Sequence, residues 1–288
     1  MILVTGANGQ LGRRIIDNLA ARLGDTRQIA ASVRDAGKAA DLAGRGISVR
    51  QADFDQPESL AAAFAGADKM VLVSTDGPRD VRIAQHRNAI AAARAAGVGH
   101  ILYTSFIDVA ADSPAEFAAV HRATEATLAE SGLKVTLLRN TVYADLLPMA
   151  VAGGLESGVF HLPAGDGRTS FVSRAELAEA IAAAAVAPRL AKEVYELTGQ
   201  TTHDYHEVAA AVATASGKPL RYQPVSEDAY AEALTGHGLP AWLARAVANM
   251  YSAVAAGKLD RVSNDFAALV GHPPRPLACL AQELFAGK

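Results

Sequence analysis

The stretch VTGANGQLG (residues 4–12) decides the fold of this chain. Its glycines, Gly6, Gly9 and Gly12, recur at every third position between a short apolar run and a helical pattern. In such a strand–turn–helix unit the first glycine permits a tight turn and the second lets the backbone approach a pyrophosphate. The third lets the helix pack closely on the strand, and the free N–H groups at the helix start attract the anion. The stretch predicts a dinucleotide site, and the lack of a following Lys-Ser/Thr pair excludes a triphosphate loop.

Apolar runs alternate with helical patterns on both sides of this turn. Strands are predicted at 2–5, 29–33, 47–51, 70–74, 100–104 and 134–138, and helices near 11–22, 57–65, 80–96 and 116–131. Strands separated by helices form parallel units with right-handed crossovers. The pattern therefore predicts an α/β fold, a Rossmann-type doubly wound parallel sheet, whose NAD(P)-binding domain we place at residues 1–150.

The order of elements loosens beyond the sixth predicted strand. Ser173 and Glu176 form a capping-box pattern that predicts a helix over 174–186. A strand at 194–198 then precedes mainly helical sequence. We expect a smaller, mixed, substrate-binding C-terminal lobe over 151–288, with some of its chain returning to the main domain.

Composition excludes several classes of protein. Half of the 288 residues are hydrophobic and 20% are charged, which is typical of globular proteins, and the net charge is 27 − 30 = −3. Since no strongly basic face is implied, neither nucleic acid nor an anionic membrane is expected as a partner. The most apolar runs, such as 180–187, are far shorter than the roughly 18–20 residues of a membrane span.

The cysteine count and the first residues predict a location. The single cysteine, Cys279, excludes an intrachain disulfide and is typical of a reducing cytoplasm. It lies in an apolar stretch, and we expect it to be an inert core residue. Met1 leads directly into an apolar strand without a basic segment, so no secretory signal is expected. The predicted location is cytoplasmic.

The end of the second predicted strand indicates which dinucleotide is preferred. A cofactor with a free ribose 2′-hydroxyl usually meets an acidic residue at this place. Here Arg34 occupies it, with Lys38 four residues later. A guanidinium group matches a 2′-phosphate through charge-assisted hydrogen bonds, whereas Asp35 is a competing acceptor for a diol. The pattern favours NADP(H).

Seven segments of the chain together resemble one family. They are VTGANGQLG, SVRDAGKA (32–39), VRQADF (49–54), AQHRN (84–88), AAGVGHILYTS (95–105), HRATE (121–125) and LLRNTVY (137–143). The chain resembles the NmrA-like branch of the atypical short-chain dehydrogenase/reductases. Within that branch it is most similar to bacterial NADPH quinone oxidoreductases of type 2 and to triphenylmethane reductases. The likeness extends over nearly the whole chain.

The resemblance implies a Rossmann domain, a smaller lobe, and a cleft between them that holds nicotinamide and substrate. It places the pyrophosphate on the glycine turn, the 2′-phosphate on Arg34, adenine near the third strand and nicotinamide after the sixth. A cation in a helix's first turn opposes the helix dipole, so Arg174 hints at an anionic contact, although an exposed arginine would explain it equally well. The implied cofactor-binding residues are Gly6, Ala7, Asn8, Gly9, Gln10, Leu11, Arg34, Asp53, Phe54, Ser74, Thr75, Asn140, Tyr143 and Arg174.

The Tyr-x-x-x-Lys pair of ordinary members of this superfamily is missing, because no tyrosine is followed four residues later by lysine. His121 and Glu125 stand where the pair is expected. His121 either donates a late proton or lines the pocket, and Glu125 either orients His121 or is solvated. The candidate catalytic residues are His121, Ser105 and Tyr143.

The missing pair restricts the chemistry. Reducing a simple ketone produces an alkoxide whose conjugate acid has a pKa of roughly 16, so a tuned acid is needed. A quinone yields a phenolate-like oxygen with a conjugate acid near about 10, and a cationic dye that accepts hydride at carbon needs no proton. The sequence therefore predicts an enzyme, an NADPH-dependent reductase acting on quinones or related planar conjugated aromatic acceptors.

Two alternatives remain at this stage. One is a non-enzymatic NmrA-like sensor of the NAD(P) redox state, and the other is an oxidoreductase that tailors polycyclic aromatic natural products. The segment HDYHE (203–207) has metal-like spacing, but a helix cap explains Asp204 and Glu207, so no metal is expected. The expected partner is a small aromatic substrate such as a quinone, and a homodimer is left open.

Overall fold

A seven-stranded parallel sheet organises the molecule, and the computed structural model describes residues 1–287. The strands of the molecule are β1 Ile2–Val4, β2 Ile29–Val33, β3 Ser48–Gln51, β4 Lys69–Leu72, β5 His100–Phe106, β6 Lys134–Asn140, β7 Val142–Tyr143, β8 Val159–Leu162, β9 Phe171–Val172, β10 Val194–Leu197 and β11 Arg221–Pro224. The large sheet follows the order β10-β6-β5-β4-β1-β2-β3, while β8 pairs with β11 and β7 with β9.

Helices connect these strands, and most cover a face of the sheet. Their bounds are α1 Gln10–Leu23, α2 Ala40–Gly44, α3 Leu60–Phe64, α4 Arg79–Ala95, α5 Glu116–Glu130, α6 Leu147–Val151, α7 Gly154–Ser157, α8 Arg174–Val186, α9 Tyr205–Ser216, α10 Glu227–Gly236, α11 Ala241–Ala255, α12 Asp265–Val270 and α13 Leu277–Phe285. The predicted helix over 57–65 is divided, since a 3₁₀ turn at Pro57–Ser59 precedes α3.

The strand order reverses beside β1, and this reversal locates the ligand cleft. Leu3 of β1 pairs with Ala30 of β2 on one side and with Met70 of β4 on the other. The chain winds outward to β3 and then returns to β4 on the opposite side of β1. The predicted doubly wound fold is confirmed, and in such sheets ligands bind beyond the carboxyl ends of the strands where the order reverses.

Two apolar layers stabilise the sheet. On one face Ile15 and Ile16 of α1 pack with Ile181 of α8, and on the other Phe64 of α3 packs with Ile90 of α4. Burying each such side chain contributes roughly 1.5–3 kcal/mol, which is why both faces of the strands are apolar.

The capping box predicted for α8 is confirmed. The backbone N–H of Glu176 donates to Ser173 Oγ (3.2 Å), and Ser173 N–H donates to Glu176 Oε2 (3.1 Å). Asp204 caps α9 by accepting from the backbone N–H of Glu207 (2.8 Å). Each helix therefore begins where the sequence pattern indicates.

The second half of the chain contributes to two cores. A separate apolar cluster contains Phe160, Tyr205, Tyr222 and Tyr251, and residues of the first half such as Phe106 join it. By contrast, α8 and β10 complete the large sheet and its covering layer. A domain boundary at residue 150 stays a prediction, because the chain crosses between the two cores more than once.

Cys279 corrects a prediction, because the structure places its side chain on the surface. The buried face of α13 is formed by Leu277, Leu280, Ala281 and Phe285, and a residue two positions after Leu277 points away from that face. The apolar composition of the segment concealed this. Among residues 1–287, none of the helices combines the length and apolar character required to cross a bilayer.

Candidate active site

A cleft of about 1010 Å³ lies at the carboxyl ends of the central strands. One end is formed by the glycine turn and the other by side chains of α4, α5 and the segment after β6. We call them the phosphate end and the reaction end. Of the predicted site residues all but Ala7 line this cleft. Ala7 is fully buried and its N–H donates to the Ser32 carbonyl (3.2 Å), so it supports the turn from below.

The glycine turn leaves a helix terminus open toward the cleft. Gly6 adopts a φ of +59°, which favours glycine, and Gly9 N–H donates to the Gly6 carbonyl (2.8 Å). A Cβ on Gly12 would lie 2.4 Å from that same oxygen, so a side chain there would prevent the turn from closing. No side chain caps α1 and its first turn holds no acidic residue. Its first N–H groups are therefore available to an anion.

The segment after β2 presents two exposed cations, Arg34 and Lys38, to the cleft. The predicted competitor of Arg34, Asp35, accepts from Gly37 N–H (3.0 Å) and thereby caps the next turn. Lys38 Nζ lies 3.8 Å from Asp35 Oδ2. Within residues 1–287 no carboxylate pairs with Arg34, so its guanidinium group can meet a phosphate without breaking an ion pair.

Arg13 joins these two segments, and the sequence reasoning missed it. Its guanidinium group donates to the Lys38 carbonyl (2.7 Å) and to Asn8 Oδ1 (3.2 Å), and it pairs with Asp41. Asn8 in turn donates to the Asp35 carbonyl (2.9 Å). A basic residue in the first turn of α1 was the available signal, since it opposes the helix dipole unless it has another role.

His121 lines the reaction end, and its Nδ1 is hydrogen-bonded to the hydroxyl of Tyr103 (2.8 Å). Burial lowers the pKa of His121 well below its usual value, and the neighbouring Arg82 and His86 lower it further. Burial also raises the pKa of the Tyr103 hydroxyl. Neither group therefore changes charge near neutral pH. Tyr103 was not predicted as a site residue, although it belongs to the HILYT strand.

His86 lies beneath the cleft in a defined neutral form. Its Nε2 accepts the backbone N–H of Thr75 (3.0 Å), and its Nδ1 lies 2.8 Å from Thr124 Oγ1. Because that hydroxyl donates to the Val120 carbonyl (2.9 Å), it accepts the proton on Nδ1. Burial, with the charge of Arg82, lowers the pKa of His86 to about 3. His86 thus holds the backbone at Thr75 in place.

Glu125 corrects the sequence analysis, which expected it to orient His121 or to be solvated. It pairs with Arg139 through two hydrogen bonds, Nη2–Oε2 at 2.6 Å and Nε–Oε1 at 3.0 Å. Ser105 Oγ donates to the same carboxylate at 2.6 Å. Arg139 lies on β6, which is why spacing along α5 did not reveal the pair. Ser105 lines the cleft, but its hydroxyl proton is directed to Glu125.

The segment after β6 forms the wall opposite α5. Asn140 Nδ2 donates to the Tyr143 hydroxyl (3.1 Å), while the buried Asn140 Oδ1 has no partner in the described part of the chain. The Arg174 guanidinium group lies 5.1 Å from the centre of the Tyr143 ring. Its side chain also lies 3.8 Å from Asp145, so Arg174 is half-buried and partnered rather than freely exposed.

These features fit a dinucleotide. The open start of α1 and the unpaired Arg34 suit phosphate groups, and the unsatisfied acceptor on Asn140 suits a carboxamide donor. The segment 203–207 does not resemble a metal site: His203 Nδ1 and Arg168 both contact the Glu207 carboxylate at 3.0 Å. Within residues 1–287 no three metal-ligating side chains converge on one point.

Comparisons with known proteins establish the family. The chain belongs to the NAD(P)H-binding family, whose model matches residues 6–188. It is 40% identical to quinone oxidoreductase 2 of Escherichia coli strain K12 over 285 residues, covering 99% of both chains. It is 31% identical to an NAD(P)H azoreductase of Xenophilus azovorans, covering 98% of this chain and 97% of that one. The predicted resemblance is confirmed.

Solved structures show the same fold over the whole chain. The structure of the NADPH-dependent quinone oxidoreductase of Escherichia coli in complex with NADPH superposes with a TM-score of 0.93 at 40% identity. It matches 99% of this chain and 100% of that one. The Citrobacter triphenylmethane reductase in complex with NADP(H) gives 0.92 at 35% identity, with the same coverage of each chain.

Proposed function

We propose that this protein is an NADPH-dependent reductase that delivers hydride to quinones or related planar, conjugated aromatic acceptors. The observation that carries the proposal is the continuity of the cleft. It joins an open helix terminus at the phosphate end to a reaction end lined by Phe106, Phe117 and Met250. An apolar pocket with a few polar groups is typical of a site for a flat aromatic ligand.

The cofactor lies along the cleft with its phosphates at the glycine turn. The pyrophosphate lies on Gly6 and the residues through Leu11, and the 2′-phosphate pairs with Arg34. We assign Asp53 and Phe54 to adenine and Ser74 and Thr75 to the sugar. Nicotinamide lies beside Asn140, Tyr143 and Arg174.

The chain's own groups favour acceptors that need no strong acid. Bound NADPH supplies a hydride at the reaction end. Of the proposed catalytic residues, His121 is neutral, Tyr143 has a pKa raised by burial, and Ser105 donates to Glu125. None of them is a ready proton donor at neutral pH. Positioning of acceptor against nicotinamide therefore accounts for most of the catalysis.

The names of the relatives support the same class of acceptor. They are a quinone oxidoreductase, an azoreductase and a triphenylmethane reductase, and each name denotes an acceptor with conjugated aromatic rings or a quinoid system. A cytoplasmic location also belongs to this proposal, and it rests on the sequence.

The test follows NADPH absorbance with four acceptor types: quinones, azo dyes, cationic triphenylmethane dyes and simple ketones. We expect turnover with the conjugated acceptors, little with ketones, and lower efficiency with NADH. The variant Gly9→Val is the matched control, because it removes the phosphate cradle and should abolish turnover. Tight NADPH binding without turnover of any acceptor would contradict the proposed reductase and would indicate a non-enzymatic redox sensor.

A further inference from the structure

Arg82, in the first turn of α4, is a buried cation at the reaction end, and the proposed function assigns it no role. Its side chain lines the cleft, yet the residue is only 5% exposed. Arginine keeps its charge even when buried, so the positive charge is held in a region of low dielectric constant. Such a charge is costly unless it is paired.

The pairing of Arg82 is incomplete. One guanidinium nitrogen donates to Ser74 Oγ (2.8 Å), and the group lies 5.6 Å from the centre of the Phe117 ring. The buried Nε has no partner in residues 1–287, and no carboxylate of that part of the chain lies within 4 Å of the guanidinium nitrogens. Two other arginines on this side of the sheet differ, since Arg139 and Arg174 each have an acidic partner.

The surroundings of Arg82 leave the charge uncompensated. The reaction end is lined by Phe106, Phe117, His121 and Met250, none of which is acidic. The carboxylate of Asp76 acts on Arg82 only from an exposed position. The charge of Arg82 is also one of the causes that lower the pKa values of His121 and His86. Arg82 thus produces a positive potential where an acceptor would lie.

We propose that Arg82 stabilises the negative charge that reduction places on the acceptor's oxygen, and that it selects acceptors that become oxyanions over acceptors that are cations. This inference rests on the proposed function and names the acceptor class. A quinone that receives a hydride becomes a hydroquinone monoanion while NADPH becomes NADP⁺, and a proton from solvent then completes the hydroquinone. A prepositioned cation lowers the barrier because it needs no reorganisation as the charge develops.

The same charge disfavours a cationic triphenylmethane dye. Binding that dye brings a second positive charge into the cleft, and hydride transfer yields a neutral product that gains nothing from Arg82. Arg82 therefore acts on the acceptor through its fixed positive charge. It does not supply a proton.

The first experiment compares acceptors in Arg82→Met, which keeps the length of the side chain and removes its charge. We expect kcat/KM for a quinone to fall about a hundredfold, as for the loss of one oxyanion-stabilising donor. The value for a cationic dye should stay the same or rise. Arg82→Lys should recover part of the quinone activity, and Arg87→Met, an exposed position on the same helix, is the matched control.

A second readout does not depend on turnover. 4-Nitrophenol resembles a reduced quinone, and its anion is coloured, so its ionisation can be followed in the NADP⁺ complex. We expect the wild-type protein to lower the apparent pKa of the bound phenol by about one unit or more, as an adjacent opposite charge does. Arg82→Met should abolish this shift, and a wild-type protein without it would overturn the proposal.

Two further outcomes separate this role from others. If Arg82 only held the fold, Arg82→Met would lower Tm by more than about 5 °C, whereas removal of an unpaired buried charge should leave Tm unchanged or raise it. If Arg82 bound the cofactor, Kd for NADPH would rise by the same factor as kcat/KM falls. Either result would overturn the proposal. Failure of the wild type to reduce any acceptor would instead overturn the proposed function, while the phenol titration would still test Arg82.

Discussion

At the phosphate end of the cleft, the groups offered to a ligand are mainly backbone N–H groups from one continuous stretch, residues 6–12. At the reaction end, they are side chains from separate elements, among them Phe106 on β5, His121 on α5 and Arg82 on α4. The phosphate end is therefore local in sequence, and the reaction end is an assembly across the sheet. Substitutions at the phosphate end should affect binding, and those at the reaction end should affect the choice of acceptor.

The largest effect is expected at the glycine turn, where two neighbouring glycines separate binding from folding. Gly9→Val should abolish NADPH binding, because its side chain would occupy space that the pyrophosphate needs. The protein should stay folded, because a Cβ on Gly9 would meet one backbone oxygen, at 3.2 Å. Gly12→Val should destabilise the fold by about 3 kcal/mol or more, since its Cβ would lie 2.4 Å from the Gly6 oxygen. Calorimetry measures the NADPH affinity of Gly9→Val, and thermal unfolding measures the stability of Gly12→Val. Normal NADPH affinity in Gly9→Val would show that the pyrophosphate does not bind at the glycine turn.

The next effect in size concerns the choice between cofactors. Arg34→Ala should weaken NADPH binding by roughly 10- to 150-fold, because a hydrogen bond to a charged group contributes about 1.5–3 kcal/mol. NADH binding should hardly change, since NADH lacks the 2′-phosphate. Titrating both cofactors into both proteins checks this. Equal losses for the two would mean that Arg34 supports the loop and does not read the phosphate.

A smaller effect is expected at His86, which lies beneath the cleft, and it should appear in the pH dependence of the free energy of unfolding. The pKa of His86 is lowered by burial to about 3, from an unfolded value of about 6.5. Below pH 6.5 the unfolded chain binds a proton that the folded protein does not, so stability falls as the pH falls. The slope is at most about 1.4 kcal/mol per pH unit for this histidine. Urea unfolding between pH 7 and pH 5 measures it.

In the variant His86→Gln the unfolded chain takes up one proton fewer, so the slope of stability against pH should be smaller by up to about 1.4 kcal/mol per pH unit. This holds whatever the substitution does to the stability itself. The same exchange at the exposed His237 is the matched control and should leave the slope as it is. An unchanged slope in His86→Gln would show that the buried ring is protonated in the folded protein.

The smallest effect is expected at His121. His121→Ala should lower kcat/KM for a quinone by about tenfold or less, because a neutral imidazole is a weak acid and solvent can protonate a phenolate-like product. A cationic dye should be almost insensitive, and a plain ketone should become slower still. A loss above about a thousandfold for a quinone, with cofactor affinity intact, would make His121 an essential acid and would contradict the account of the reaction end.

How much could be predicted differs between the two ends for a physical reason. The glycine turn and the positions of the main strands follow from local rules, namely steric freedom at Gly6, periodicity and capping. The structure agrees with the predicted positions, although most of these strands begin or end one or two residues away from the predicted bound. Glu125 was misjudged because its partner Arg139 is contributed by another strand. Arg82 was overlooked because nothing near it in sequence marks it as buried. Cys279 was misplaced because an apolar segment does not reveal which side of the helix is covered.

By itself, the sequence determined the doubly wound sheet, the position of the dinucleotide turn and the absence of a Tyr-x-x-x-Lys pair. These depend on groups within a few residues of one another, whose spacing can be read directly. The tertiary structure alone decided which charges are paired and which are not. Whether Arg82 meets a carboxylate depends on helices and strands that are far apart in the chain and are brought together by burial of their apolar faces. That packing leaves one buried cation uncompensated at the reaction end.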